Sequence, residues 1–426
     1  MHLLHDTPRL SALIVGREAG AFALSCARSL RKGWLEAGYP ARHLDVVVVD
    51  NASESHQRHW IQLLEAEGAR VLVQSQDLGY AGGIEAAFGA TRGSDDDFLA
   101  VLRPDVVFLP GAVGELVRCL EAHPHVGAVA PRAFLDEGRL LQHPPRRLAG
   151  VRQEIGRVLG RLSPRVARRR ARRRTRAAQA WWSAEIPAAV DVLPGSCLFL
   201  SRAVAESLSV LMDKRFVGGY GDDDLSHRLR GRGLELYHHP RACVLHHGHD
   251  SLAAEPVGGK RWEVARKAYL ERWSARLGRV ALAGLERLAR RWPEARLDRP
   301  AHELQRIKGP QPVELPLGRE ARWWIELSPD PRWEWSLVSA FDGDTWRLPE
   351  DTWSRLASGR WHLRALDRDS GRFGGAWLFS KRDAARSESV EFATDQHPEL
   401  NRDWMGELSR TVRGAVGPDG WRGGAP

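Results

Sequence analysis

The chain has 426 residues, 43% of them hydrophobic and 27% charged, with a formal net charge of +9. That length allows two or three domains around sizeable cores, and no apolar run approaches the ~20 residues of a membrane helix, so a helical bilayer span is excluded. The excess charge is local: between Arg146 and Arg176 lie thirteen arginines and one acid, Glu154, which leaves the rest of the chain slightly acidic.

The start, "MHLLHDTPRLSALIVGREAG", lacks the basic n-region, long apolar run and small-residue cleavage site of a secretory signal, and "LSALIV" reads as a first β-strand. A cytoplasmic protein is expected. "AFALSCARSLRKGWLEAG" has helical periodicity, and "LDVVVVDNAS" is a β-branched run suited to a strand buried on both faces. Helical "HQRHWIQLLEAEG", strand "ARVLVQS", the glycine-rich "DLGYAGG" opening another helix, and strand "DFLAVLRPDV" follow. Alternation of this kind predicts an open α/β sheet flanked by helices.

Ligands bind such sheets at the carboxyl ends of the strands. Asp50, Asn51 and Ser53 follow the second strand, Gly79 to Gly83 the third, and Asp105 the fourth. Each alone is an ordinary turn or cap, but their coincidence marks one end of the sheet. Farther on, "GYGDDDLSHRLRGRG" sets Asp222, Asp223 and Asp224 side by side before a basic helix. Mutual repulsion raises the cost of ionising three adjacent carboxylates unless a metal, a proton transfer or solvent exposure absorbs it. The cysteines Cys26, Cys119, Cys197 and Cys243 are isolated, which argues against a zinc site or a disulfide framework.

Beyond residue 255, "KRWEVARKAYLERWSARLGRVALAGLERLARRW" reads as one or two amphipathic helices packing on the sheet and leading away. "GPQPVELPLG" is a Pro/Gly boundary. After it, "RWWIEL", "WEWSLV", "RWHLRALD" and "GAWLFSK" predict short strands separated by turns at "DGD", "ASG" and "DRDSG". A small all-β sandwich fits, with its many tryptophans assigned to its core rather than to a sugar-stacking face. The expected division is a sheet domain over 1–280 with an Arg-rich insertion at 146–177, a helical linker over 281–312, the sandwich over 313–383, and a loosely held polar tail over 384–426.

In order, "VVVVDNASE", "DLGYAGG", "LRPDVVFLPGAV", "VGAVAPR", "LPGSCLFLSR", "GYGDDDLSHRLRGRG" and "VLHHGHDS" resemble the bacterial family-two glycosyltransferases of GT-A fold, the rhamnosyltransferase-like branch in particular, over roughly residues 10 to 275. The C-terminal part resembles a fibronectin type III-like module. The first resemblance implies an inverting, single-displacement transfer from a nucleotide-sugar donor to a glycan or lipid-linked acceptor, in cell-surface polysaccharide synthesis. Asp222 corresponds to the catalytic base. Asp50 corresponds to the reader of the nucleotide base, with Asn51 and Ser53 shaping its turn and Gly79, Gly82 and Gly83 letting backbone approach the nucleotide. Asp105 matches the second acid of the Asp-x-Asp-type motif, a ligand of Mg2+ or Mn2+ and of the diphosphate, and His246, or else His247, completes that cation site. Gly195, Ser196 and Cys197 match the turn on the acceptor side, Asp224 the second acid of its motif, which caps the following helix or orients neighbours, and Asp223 an exposed variable position.

The chain departs from the pattern at Gly16-Arg17-Glu18, at Gly221 and at Arg103, whose guanidinium would repel a metal yet could neutralise a diphosphate directly. A second reading of the same residues is a catalytically inactive GT-A-fold protein that binds nucleotide or glycan and acts through its β-sandwich. In the Arg-rich stretch, Ile155, Val158, Leu159, Leu162 and Val166 fall at helical spacing, so residues 152–177 can form a basic amphipathic helix suited to an anionic membrane surface. Nucleic-acid binding ranks lower, because no stacking aromatics are interleaved there. Nothing in the sequence specifies an oligomeric state.

Overall fold

The structure is a computed structural model that describes residues 7–53, 58–94, 97–216, 219–248, 259–295, 302–303 and 313–381. The expected polar tail and most of the second half of the linker lie outside these residues. The N-terminal part carries β1 (Leu10–Gly16), α1 (Gly20–Glu36), β2 (Leu44–Asp50), α2 (Arg58–Ala66), β3 (Arg70–Val73), α3 (Gly79–Ala90), β4 (Phe98–Leu102), β5 (Val106–Phe108), α4 (Ala112–Ala122) and β6 (Val126–Phe134). After it come α5 (Val151–Leu162), α6 (Pro164–Trp182), β7 (Ala188–Val190), β8 (Cys197–Ser201), α7 (Arg202–Glu206), α8 (Gly221–Arg230), β9 (Glu235–His246), α9 (Lys260–Trp273) and α10 (Arg276–Ala289).

The nine strands form one mixed sheet in the order β3-β2-β1-β4-β8-β6-β9-β5, with β7 pairing β9. The first four run parallel, and β8 turns antiparallel to β4. Side chains alternate across the sheet as a pleated strand requires. Leu10, Ala12 and Ile14 of β1 join Leu24, Leu30 and Trp34 of α1 and Val113 of α4 on one face. Leu13 and Val15 point the other way, toward Ile84 of α3 and Leu225 and Leu229 of α8. The expected open sheet flanked by helices is therefore what the sequence builds.

Register fixes the site. Gly16 lies opposite Asp50, Ile14 opposite Leu102, and Leu102 opposite Cys197. The ends of β1, β2 and β4 and the start of β8 thus meet at one edge.

The C-terminal part is a second sheet of β10 (His302–Glu303), β11 (Val313–Ser328), β12 (Leu337–Leu348), β13 (Gly359–Asp367) and β14 (Phe373–Lys381), with α11 (Glu350–Arg355) between β12 and β13. Its order is β10-β14-β13-β11-β12. Among the described residues it is one curled sheet with no second sheet facing it. A register break between Pro316 and Ala321 bends β11 and β12, so that Leu315, Trp346 and Leu348 close over the same core as Trp323, Ile325, Trp361 and Leu363. The strand β11 runs through the expected Pro/Gly boundary, and β12 runs through the expected "DGD" turn, because the pairing of Gly343 with Ala321 carries the ladder across both. "WEWS" is instead a turn, held by Ser328 Oγ donating to the Trp335 carbonyl at 2.6 Å. The tryptophans fill the core as expected: Trp323, Trp346 and Trp361 are buried.

This sheet is not tethered at a distance. Leu135 and Leu141, from the loop after β6, enter its core, and Gln142 and Val338 exchange backbone hydrogen bonds of 2.7 and 3.0 Å. Its other face meets α6 through Trp181 and Trp182 against Trp324 and Val338. Within that contact Glu326, fully buried, accepts from Arg174 at 3.0 Å and from Thr175 at 2.9 Å and pairs with Arg364.

The Arg-rich segment is accordingly a helical hairpin and not a separate insertion. Much of the apolar side of α5 is packed against α9 and α10, where Val158 joins Tyr269, Leu270 and Leu282, while Leu159 stays exposed. The arginines Arg165, Arg169, Arg172, Arg173 and Arg176 of α6 face solvent. α10, which spans the expected start of the linker, packs beside α5 and α9 through Leu282, Leu285 and Ala289.

Candidate active site

At the end of β2 the chain turns through Ala52, at φ 61°, while Glu18 after β1 sits at φ 52°. Left-handed backbone at non-glycine residues is held only where surrounding contacts enforce it. Here the Glu18 N–H donates to Ser53 Oγ at 2.8 Å, which ties the two strand ends together. Asn51 is buried; its Nδ2 donates to Asp77 Oδ1 at 2.7 Å, and its Oδ1 accepts from the Leu78 N–H at 2.9 Å. Asp77 Oδ1 also accepts from the Gly79 N–H at 2.8 Å, and Gly79 is left-handed at φ 67°. These contacts pin the start of α3 beside the half-buried Asp50.

Two of the glycines have a packing role as well. A Cβ on Gly83 would stand 2.5 Å from Val15 Cγ1, and one on Gly82 2.9 Å from Leu78 Cβ. Gly83 lets α3 lie flat on β1 and Gly82 fits within its own first turn, so close packing by itself already requires both.

After β4, Asp105 is 2% exposed, and its Oδ1 lies 3.4 Å from Arg103 Nε and 3.6 Å from His246 Nε2. His246 is brought there by β9, whose His246 pairs with Val106 of β5. His143 Nε2 bonds the His246 carbonyl at 2.9 Å, and burial pushes the His143 imidazole below its usual range. His247 is buried too, and burial, with Arg355 adding to it, pushes its pKa down to about 4. As a cation site the set is thin. It offers one carboxylate and one imidazole, a guanidinium lies beside the same oxygen, and no group of three His, Cys, Asp or Glu suited to a metal exists among the described residues. These residues by themselves do not fit a resident Mg2+ or Mn2+.

Across the β4–β8 junction, the Arg103 N–H donates to the Ser196 carbonyl at 2.8 Å, and the Gly195 N–H donates to Asp222 Oδ2 at 3.0 Å. The Gly195–Ser196 turn therefore stands between the Arg103–Asp105 pair and Asp222. Tyr80, from the first turn of α3, places its hydroxyl 3.4 Å from the Gly195 carbonyl. Burial pushes this phenol up; Arg103 pulls it down, and both Asp222 and Asp105 push it further, which places all four groups in one electrostatic neighbourhood.

Asp222, in the first turn of α8 and 19% exposed at its side chain, is also paired with Arg146 Nη1. Asp223 is fully buried, not exposed as expected; it accepts from Arg146 Nη2 at 2.6 Å and from the Ala149 N–H at 2.8 Å. Burial pushes its carboxyl up against the pull of Arg146. Of the two roles expected for Asp224, it orients neighbours and does not take the helix-cap position. Tyr220, at φ 66°, occupies that position, and Asp224 ties α8 to α9 by accepting from Arg228 Nε at 2.7 Å and from Trp273 Nε1 at 2.8 Å. Sequence reasoning missed Arg146, Tyr80 and Asp77. Asp77 was legible beside Gly79 as a turn-former, whereas Arg146 was one arginine among thirteen.

Residues 17–183 match the family model described as glycosyl transferase family 2, which makes this part a candidate sugar-transfer domain; Asp222 and His246 lie beyond the matched stretch. Among curated proteins, the N-acetylglucosaminyl-diphospho-decaprenol L-rhamnosyltransferase of Mycobacterium tuberculosis is 27% identical over 224 residues, 51% of this chain and 70% of that protein. The uncharacterized protein y4gI of Sinorhizobium fredii is 26% identical over 235 residues, 54% of this chain but only 24% of its own length. Family match and rhamnosyltransferase relative together support a family-two glycosyltransferase. Solved structures similar in part are the mannosyltransferase PcManGT from Pyrobaculum calidifontis in complex with GDP-Man and Mn2+ (15% identity, TM-score 0.36, 67% of this chain and 81% of that one) and S. aureus TarS 1–349 (9% identity, TM-score 0.34, 55% and 60%).

Proposed function

We propose that the chain is an inverting glycosyltransferase that moves a sugar from a nucleotide-diphosphate donor to a glycan or lipid-linked saccharide acceptor in cell-surface polysaccharide synthesis. The observation that carries this reading is the placement of Asp222 on the Gly195 N–H, with Arg103 held to the adjacent Ser196 carbonyl. The backbone of Arg103 and the carboxylate of Asp222 thus hold adjacent residues of one short turn at the strand ends, while the Arg103 guanidinium lies against Asp105. In the proposed step Asp222 takes the proton of the acceptor hydroxyl as its oxygen bonds to the anomeric carbon. The bond from that carbon to the diphosphate breaks, and the electron pair leaves with the nucleoside diphosphate. Arg103 stabilises the developing charge on that leaving group. Asp50 and the Asn51–Asp77–Gly79 turn receive the nucleotide. Arg146 holds Asp222 in place and yields its oxygen to the acceptor. No step above is assigned to a divalent ion.

The test is donor turnover across a panel of nucleotide sugars with wild type and Asp222→Asn. Loss of about 10²–10⁴-fold is expected, the range for removing a general base. Turnover that survives this substitution removes the mechanism. Turnover abolished by EDTA and restored by Mn2+ removes the assignment of charge neutralisation to Arg103 alone.

A further inference from the structure

We propose that the solvent-facing side of α10 docks on an anionic lipid bilayer. The helix has two apolar sides. One packs inward through Leu282, Leu285 and Ala289. The other shows Leu277, Val280, Leu288 and, just past the helix, Trp292 to solvent at 84%, 62%, 44% and 56% exposure, and Ala281 and Gly284 continue the stripe between them. Residues 277, 280, 281, 284 and 288 recur at helical spacing, so they form one line along the helix. Scattered exposed leucines need no explanation, but an aligned stripe on a folded helix does.

The charges beside the stripe choose the partner. Arg276, Arg287, Arg290 and Arg291 are exposed and enter no ion pair among the described residues. Glu286 is the one acid of α10, and Arg266 Nη2 engages it at 2.6 Å. What faces outward among the described residues is therefore apolar surface, an indole and cations, and the exposed acid just past Trp292, Glu294, is already paired with Arg161 and Arg332. An anionic bilayer interface accommodates all three: acyl chains for the leucines, the headgroup boundary for the tryptophan, lipid phosphates for the arginines. The helix is presented rigidly, since Gly278 packs on Val151 of α5 and the Ala295 N–H donates to the Arg161 carbonyl at 2.7 Å. The hairpin it rests on carries the exposed arginines of α6, which add attraction to the same kind of surface. This places membrane contact on α10, whose stripe is more exposed than the apolar side of α5, where Val158 is buried and Ile155 partly covered. It does not depend on the proposed transfer reaction.

The experiment is co-sedimentation of the full chain with vesicles of phosphatidylglycerol and phosphatidylcholine, against phosphatidylcholine alone. Wild type is expected to bind the anionic vesicles. Leu277→Glu with Val280→Glu should weaken binding by roughly tenfold or more, and Arg287→Gln with Arg290→Gln by about 30-fold at low salt. Both pairs are exposed, so thermal midpoints should stay at the wild-type value. Full binding by the Glu pair overturns the proposal in favour of attachment through α6 alone, and absence of vesicle binding overturns it outright. A wild-type dimer in sedimentation that the Glu pair dissociates would make the occupant a second copy. Binding seen only after removal of residues 382–426 would make it the chain's own tail.

Discussion

Gly195→Ala is the sharpest probe of the site. A methyl group built on Gly195 stands 2.1 Å from Asp222 Oδ1 and 2.6 Å from its Cγ. Ordinary carbon–oxygen contact needs about 3.2 Å or more, so the carboxylate must retreat by about 1 Å in a packed site that relaxes little. That retreat also breaks the 3.0 Å hydrogen bond from the Gly195 N–H. The backbone itself tolerates alanine, because Gly195 is not among the left-handed residues. A displacement of about 1 Å in a catalytic group costs on the order of 10²-fold, equivalent to about 2.7 kcal/mol of lost transition-state stabilisation. The fold should lose about 1 kcal/mol, at the low end for overpacking, since Asp222 is partly exposed. The assay is kcat/KM for sugar transfer beside a urea unfolding curve and the thermal shift given by the donor. The expected result is a hundredfold loss in kcat/KM with donor binding retained. A folded Gly195→Ala protein within threefold of wild-type kcat/KM would show that the position of Asp222 does not matter, and the assignment of the base would fall with it.

Glu326→Ala leaves the buried guanidinium groups of Arg174 and Arg364 without their carboxylate. Stability should fall by about 3–5 kcal/mol, the cost of breaking a buried pair by removing one partner, read as a lower urea midpoint; a loss under about 1 kcal/mol would mean that α6 and the second sheet are not coupled as described. The buried imidazole of His238, stacked on Trp181 at 3.4 Å, has its pKa pushed down to about 3 by burial, with Arg132 adding to it. Its folded pKa lies below the unfolded value, so its contribution is fully present above about pH 6.5 and is lost as the pH falls toward 3. Unfolding free energies at pH 7 and pH 5 should differ by about 2 kcal/mol on this account, and His238→Phe should remove that part of the difference.

Much of this was legible, for identifiable reasons. "LDVVVVD" suited a strand buried on both faces and "FLAVL" read as a further strand, and the expected α/β topology put Asp50 and Asp105 at strand ends on one edge of the sheet. The tryptophan-rich C-terminal strands announced a β core by alternation. Contacts between segments remote in sequence were not legible. The thirteen arginines read as one basic block, yet the structure assigns them separate duties: Arg146 to the aspartates, Arg174 to Glu326, and Arg165, Arg169, Arg172, Arg173 and Arg176 to solvent. Helical periodicity showed that α5 had an apolar side but could not show that Tyr269 and Leu282 already cover much of it. The turn at "DGD" failed for a related reason, since pairing with β11 overrode local propensity.

The aspartate triplet shows how geometry resolves what composition leaves open. Successive residues of a helix point about 100° apart, so placing Asp222, Asp223 and Asp224 in the first turn of α8 sends the carboxylates three ways. Each finds its own cation or donor: Asp222 the Gly195 N–H and one arm of Arg146, Asp223 the other arm and the Ala149 N–H, Asp224 the Arg228 guanidinium and the Trp273 indole. All three are also acids at a helix N-terminus, where the dipole favours them. The repulsion that makes the sequence look costly is thus offset within the fold, and no metal is needed to account for the cluster. What remains distinct about Asp222 is access. The other two are fully buried, whereas its side chain keeps 19% of its surface and is held by a guanidinium that is itself 39% exposed. Of the three, it alone can meet a substrate hydroxyl without dismantling the helix that holds it.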